Sequence, residues 1–218
     1  MYEKYWKRII DFCISLAAIV VLIPLFSILI IVGAYKMKGN PFFVQARPGR
    51  IDPATGKERI FDLIKFRTMS NERDKYGKLL PDEQRLNGYG QFLRKTSLDE
   101  LPELFNILKG DMAIIGPRPL LVCYLDRYSP EQRHRHDVRP GLSGYAQAHG
   151  RNALSWGDKF AMDVWYTKHL SLQLDIQIII DTVKSVLHHE GISSGTSATM
   201  EEFMGSPEDA KVTWEAPY

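Results

Sequence analysis

The sequence predicts a mainly helical α+β protein with an apolar N-terminal segment, a small β-hairpin and a polar helical domain. Three observations predict it. No charged residue occurs from Phe12 to Tyr35. Two short runs flank a turn containing Pro53 and Gly56, and from Asp82 onward apolar residues recur at helical spacing. The chain accordingly divides into a membrane segment with its flank (1–36), a main domain (37–195) and a polar, loosely held tail (196–218).

The 218 residues suffice for one domain with a genuine core. Lys and Arg number 28 against 26 Asp and Glu, a formal charge of +2. That near balance lacks the electrostatic footprint of a nucleic-acid binder, so no nucleic-acid partner is expected. Cys13 and Cys123 are the only cysteines, and Cys13 lies inside the apolar run. A reducing, cytosolic environment is expected for the polar part.

The apolar run exceeds the roughly 20 residues a helix needs to cross a bilayer core. No small-residue cleavage site marks it as a signal peptide. Lys4, Lys7 and Arg8 precede it, and Lys36, Lys38, Arg47 and Arg50 follow it, so both ends favour the cytoplasmic side. Pro24 lies near its middle, where a proline removes a backbone hydrogen bond and kinks a helix. The residues alone leave two readings open: a re-entrant helix–break–helix, and a tilted, kinked spanning helix.

Pro41–Gln45 and Ile60–Phe66 read as hairpin strands, separated by a turn-rich stretch over 47–56. Helices are expected over Glu83–Arg94 and Ser97–Leu108, the second stopped by Gly110. Further helices are expected over Leu120–Tyr128, Glu131–His136, Asp158–His169 and Asp175–His189. GPRP (116–119) and RPGLSG (139–144) read as rigid turns. The last helix gathers Ile176, Ile179, Ile180, Val183 and Leu187 on one face. It fits a membrane interface as well as a protein core.

TSLDELPEL (96–104) places two acids at an expected helix start. Ser97 and Glu100 have capping-box spacing, and a helix dipole favours acids there. The same placement has a chemical reading. A helix N-terminus lowers a carboxyl pKa and attracts phosphate. Asp99 would then stand ionised beside a bound diphosphate, with Glu100 holding a divalent metal or handling a proton. Attack on a diphosphate needs its charge masked. Lys65, Arg67, Arg94, Arg118, Arg139 and Arg151 offer the cations, with Arg118 and Arg139 in rigid turns. His134 and His136 fall on different helix faces, which disfavours a zinc pair. No P-loop, no GxGxxG after a strand and no GxSxG occurs.

Several longer motifs carry a resemblance: YEKYWKR (2–8), QARPG (45–49), KFRTM (65–69), SLDELP (97–102), LKGDM (108–112), GPRPLL (116–121), RPGLSG (139–144) and GRN (150–152) before Ser155 and Trp156. In this order they resemble the monotopic phosphoglycosyl transferases, the bacterial sugar transferase family, and in length its small PglC-like members. The likeness runs from Met1 to about Gly195.

The resemblance implies that Asp99, partnered by Glu100, attacks the β-phosphate of a UDP-sugar and releases UMP. The phosphosugar, held covalently, then passes to polyprenyl (usually undecaprenyl) phosphate. Mg²⁺ is implied as cofactor, with Asp99 and Glu100 as its protein ligands. Lys65, Arg94 and Arg118 match basic active-site positions; Asp163 and Asp175 match acidic ones. A re-entrant helix broken at Pro24 is implied, in contact with phospholipid at the inner (cytoplasmic) membrane, with the catalytic domain facing the cytoplasm. Ile23 stands where members often carry serine, so the break rests on Pro24 alone. The 50–59 loop is longer than in the small members. Two rivals carry different expectations. A CDP-alcohol-type transferase needs several aspartates within membrane helices, and only Asp11 lies near one. A membrane-tethered nucleotide-sugar-binding scaffold would tolerate loss of the Asp99 carboxylate.

Overall fold

A computed structural model describes residues 1–150, 154–187 and 202–205. A π-helical turn, Tyr2–Trp6, leads into a 30-residue helix, α1 (Lys7–Lys36). The two half-helices expected from the sequence are one element here, because α1 stays helical on both sides of Pro24. Near the proline, Ser27 Oγ donates to Ile23 O at 2.9 Å. One stripe of α1 is buried against the rest of the chain, through Lys7, Asp11 and Ser15 and then Phe26, Leu29 and Gly33. The opposite face is apolar and open, with Val21 75% and Ile31 70% exposed. Among the described residues it is the one helix long and apolar enough to cross a membrane.

Strands β1 (Phe42–Ile51) and β2 (Glu58–Phe66) pair antiparallel, with Phe42 opposite Phe66 and Gln45 opposite Leu63. β1 continues through Arg47–Arg50, which read as turn-rich. In a two-stranded sheet both strands are edges, so Pro48 costs no ladder bond, and the register shifts between Pro48 and Ile51. Side chains alternate along β2, so Lys65 shares a face with buried Phe61 and Leu63. Phe66 packs on Phe42 and on Phe26 of α1, with ring centroids 5.4 and 5.9 Å apart.

The helix expected over Glu83–Arg94 is divided into α2 (Asp82–Arg85) and α3 (Gly88–Thr96). Asn87 makes the division: its backbone is extended and its side chain accepts the Gly90 N–H at 3.0 Å. The helix expected from Ser97 begins later, as α4 (Glu103–Lys109). Pro102 precedes its first residue, and Gly110, at φ +93°, ends it. Asn106 fixes α4 to the hairpin. Its side chain accepts the Ile64 N–H at 3.1 Å and donates to Asp62 O at 2.7 Å, standing in for a neighbouring strand.

Gly141–Ser143, read as part of a turn, forms strand β4 parallel to β3 (Ala113–Ile115). The two segments approach so closely that a Cβ on Gly141 would overlap the Gly116 backbone. Between them lie a 3₁₀ turn (Val122–Arg127), α5 (Pro130–Arg133) and a second 3₁₀ turn (His134–His136). The helices expected over 120–128 and 131–136 are thus mostly 3₁₀. Three further helices follow: α6 (Tyr145–Ala148), α7 (Trp156–His169) and α8 (Leu172–Leu187). α8 buries Asp175 and Ile178 and leaves Ile176, Ile180 and Val183 about half exposed, at 50%, 44% and 53%. These three residues of the apolar stripe read from the sequence therefore reach the surface. In the region expected to be a loose tail, Phe203 is buried.

Candidate active site

The turn between α3 and α4 carries the two acids. Ser97 adopts a left-handed backbone, φ +56°, and closes α3 by donating its N–H to Arg94 O. Only Ser97 and Lys38 among described non-glycine residues have positive φ. Such a backbone costs roughly 1–2 kcal/mol and re-aims the chain over a very short span. A 3₁₀ turn, Leu98–Glu100, follows, and Ser97 forms no side-chain cap. The expected capping box is therefore absent, and Asp99 lies a turn before α4 rather than in its first turn.

Lys65 Nζ, from the inward face of β2, lies 2.8 Å from Glu100 Oε1 and 3.0 Å from Glu103 Oε1. Arg118, from the loop after β3, brings Nη2 to 2.5 Å from the same Glu100 oxygen. Arg94 Nε donates to Thr68 Oγ1 at 3.1 Å, which fixes its head at the rim. The Asp99 carboxylate has no hydrogen-bond or ion-pair partner among the described residues.

The electrostatics differ from the helix-start expectation. Burial, and then the Glu100 charge, push the Asp99 carboxyl up to about 6, against the pull of Lys65, Arg118 and Arg94. Burial would also raise Glu100, but Arg118 and Lys65 overcome it and hold that carboxyl well below the usual range. Two adjacent acids are thus driven apart: a fixed anion clamped by cations, and a carboxylate that titrates just below neutrality. Glu103 was not singled out by the sequence reading. Burial pushes it up to about 7, and the Lys65 contact does not offset this. A third acid at helical spacing from two others was the available signal.

A cavity of about 730 Å³ opens beside this cluster; Asp99 and Lys65 lie behind its lining and do not form its wall. Arg94, Arg118 and Glu100 line its polar end, and Tyr124, Trp156 and Lys159 line another part of its wall. Asp163 also lines it and supports the polar end. One of its oxygens accepts from Arg135 Nε and Nη2 at 3.1 and 2.7 Å. Arg135 Nη2 in turn donates to the Arg118 carbonyl at 2.7 Å. Arg47, which the sequence reading used only as a flanking charge, reaches the same wall and donates to Pro119 O at 3.1 Å.

Not every predicted residue converges here. Asp175 is buried elsewhere, accepting from Lys7 Nζ at 2.5 Å and from the Tyr2 and Tyr166 hydroxyls at 2.7 Å each. It ties the N-terminus to α8 and does not line the cavity. Arg139 faces Asp11 at 3.4 Å and lines a second cavity near the hairpin tip. The Arg67 backbone N–H donates to Pro41 O, and its side chain does not line the main cavity. Arg151 lies outside the described residues.

Among the described residues no three or more His, Cys, Asp and Glu side chains are grouped to hold a metal ion. Asp99 and Glu100 can offer carboxylate oxygens. Mg²⁺ is commonly held by one or two carboxylates together with substrate phosphates and water, so this donor set fits it without an all-protein cage.

The family model described as "Bacterial sugar transferase" matches residues 2–189. "Uncharacterized sugar transferase EpsL" of Bacillus subtilis (strain 168) is 48% identical over 204 residues, covering 92% of this chain and 96% of EpsL. The "Undecaprenyl-phosphate galactose phosphotransferase" of Salmonella typhimurium is 32% identical, over 87% of this chain and 42% of its own length. The "UDP-N-acetylgalactosamine-undecaprenyl-phosphate N-acetylgalactosaminephosphotransferase" of Aeromonas hydrophila is 37% identical, over 79% of this chain and 42% of its own length. The chain thus spans nearly all of EpsL and less than half of the other two. It belongs to the bacterial sugar transferase family.

Proposed function

We propose that the chain transfers a phosphosugar from a UDP-sugar to polyprenyl (undecaprenyl) phosphate, releasing UMP, through a covalent intermediate on Asp99. The observation that carries this reading is the unpartnered, half-buried Asp99 carboxylate beside Arg94, Arg118 and the Lys65–Glu100 clamp. The Salmonella and Aeromonas relatives, by their names, pass sugar phosphates to undecaprenyl phosphate, which supports the acceptor class.

In the first half-reaction an Asp99 oxygen attacks the β-phosphorus. The bond from that phosphorus to the bridging oxygen breaks, and UMP leaves with the bridging oxygen and its electron pair. In the second, a phosphate oxygen of the lipid attacks the same phosphorus, and Asp99 leaves as a free carboxylate. Both displacements build charge on phosphoryl oxygens, where Arg118 and Arg94 are already oriented. Glu100 stays ionised and holds Lys65 and Arg118 in place. Asp99 and Glu100 would hold Mg²⁺, which would neutralise diphosphate charge when bound.

We also read α1 as re-entrant, with both ends on the cytoplasmic side of the inner membrane. Its two halves dock on one domain. Arg8 donates to Ile107 O and Leu108 O near the start, and Tyr89 donates to Leu29 O near the end. The open apolar faces of α1 and α8 would meet phospholipid. This depth puts the catalytic cluster within reach of a lipid-borne phosphate.

The test is UMP release from a panel of UDP-sugars with Mg²⁺, with and without undecaprenyl phosphate, in nanodiscs. Sustained release that needs the lipid and disappears in Asp99→Asn is expected. Unchanged release by Asp99→Asn would return Asp99 to a structural role.

A further inference from the structure

Phe203 lies beyond residues 2–189, the stretch matched by the family model, yet it is only 2% exposed. Four rings surround it: Phe160, Trp156, Tyr124 and Tyr128, with centroids at 4.9, 5.5, 5.6 and 5.8 Å. Polar contacts hold the same segment. The Phe203 N–H donates to the Tyr124 hydroxyl oxygen at 3.2 Å, and Arg127 Nη1 donates to Phe203 O at 2.5 Å. The same guanidinium nitrogen pairs with Glu202 at 2.7 Å.

Phe203 does not line the main cavity, but two of the rings it supports do. Tyr124 and Trp156 meet edge to face at 5.8 Å, and both share the cavity with Arg118 and Glu100. Lys159 connects the two parts of the wall: its Nζ lies 5.2 Å from the Trp156 ring centroid, and it also lines the cavity. One cavity thus offers cations for phosphates and the part-exposed Trp156 ring for a planar group, with Tyr124, 5% exposed, packed against that ring. Aromatic faces are sequence-tolerant platforms for nucleobases, and rings held from behind lose little freedom when a ligand arrives.

We infer that Glu202–Gly205 is a built support of the donor site, in which Phe203, packed on Tyr124 and Trp156, positions the Trp156 ring to receive the nucleobase of the nucleotide-sugar. This rests on the donor class proposed above. Phe203 touches no reacting atom; it is a positioning residue acting through two others. Among the described residues, the ring contacts and hydrogen bonds of Phe203 include none of Asp99, Glu100, Lys65, Arg94 and Arg118.

The experiment compares wild type, Phe203→Ala, Phe203→Tyr and Arg127→Ala in nanodiscs, using UDP as the binding probe in calorimetry and UMP release for kinetics. Phe203→Ala should weaken UDP binding and raise the donor KM by about three- to tenfold, the scale of one lost aromatic contact. Its kcat at saturating donor should stay within about twofold, and the KM for undecaprenyl phosphate should not move. Phe203→Tyr should restore most of the affinity. Arg127→Ala, which frees the segment and also removes the guanidinium lying 5.4 Å from the Tyr124 ring centroid, should shift donor affinity in the same direction.

Unchanged UDP affinity and donor KM in both Phe203→Ala and Arg127→Ala would overturn the inference. So would a parallel fall of kcat and of affinity for both substrates with a lowered melting temperature in both variants, since that makes Phe203 a core residue only. A wild-type protein that releases no UMP from any donor would instead sink the reaction reading, while UDP binding would still report on the tail.

Discussion

Arg118 Nη2 lies 2.5 Å from Glu100 Oε1, and the same oxygen takes Lys65 at 2.8 Å. One carboxylate thereby fixes two cations beside Asp99. Removing the clamp should cost transition-state stabilisation more than ground-state binding. Arg118→Ala is expected to lower kcat by about 10²–10³-fold. Arg118→Lys keeps the charge but loses the planar fork, and should recover only part of the rate. Steady-state UMP release checks both, and near-wild-type rates in Arg118→Ala would remove it from the site.

The proposed role of Asp99 predicts a pH dependence. Its folded pKa of about 6 lies above the ordinary value of 3.8. The anion that the proposed mechanism requires is therefore depleted as pH falls through 6, and kcat/KM should drop about tenfold per unit below that point. The stability effect has the opposite sense. A raised carboxyl pKa means that ionised Asp99 destabilises the fold above about pH 6 and costs nothing below about 4. Asp99→Asn should therefore be more stable than wild type by about 1–3 kcal/mol at pH 8 in EDTA, with the gap closing by pH 4. Denaturant titrations at the two pH values measure it, and an equal gap at both would contradict the burial argument.

Asp163 acts on the site through a relay, from its carboxylate to Arg135 and from Arg135 to the Arg118 carbonyl. Both paired side chains are nearly fully buried. Asp163→Asn leaves the Arg135 charge without its counter-ion and should cost about 3–5 kcal/mol of stability. Activity measured at low temperature, where the variant stays folded, should also fall because Arg118 loses its backbone support. Full stability in this variant would show that Arg135 finds another anion.

The membrane reading predicts labelling at both ends of α1. Tyr5 and Tyr35 are 55% and 80% exposed and flank the apolar stretch. With Cys13 and Cys123 replaced by serine, Tyr5→Cys and Tyr35→Cys should both react with an impermeant maleimide in inverted vesicles. Both should be protected in intact spheroplasts. Opposite reactivity of the two positions would mean that α1 crosses the bilayer.

Much of this architecture is legible in the sequence, and the failures have physical causes. The apolar segment, the hairpin and helices α7 and α8 follow from long, strongly periodic runs. Asn87 was missed as a breaker because its side-chain bond to Gly90 is a local competitor that helical periodicity does not reveal. β4 was missed because a three-residue parallel strand leaves no pattern, only the glycines that let it approach Gly116. At the candidate site, charge chemistry and the motifs point to Asp99, Glu100, Lys65, Arg94 and Arg118, which the structure brings together. Asp175 and Arg139 were drawn elsewhere by Lys7 and Asp11, pairings more than 100 residues apart in sequence. The sign of the Asp99 shift was misread because the helix that was to lower it begins only at Glu103.

The central claim is a covalent bond between Asp99 and the phosphosugar, and intact-protein mass spectrometry tests it most directly. Wild type and Asp99→Asn would each be mixed with a donor that supports turnover, without lipid, and quenched within seconds. Wild type should gain the mass of one sugar phosphate, release one equivalent of UMP, and lose the added mass when undecaprenyl phosphate follows; Asp99→Asn should gain nothing. Turnover with no adduct on wild type, or an adduct that survives in Asp99→Asn, would contradict the account.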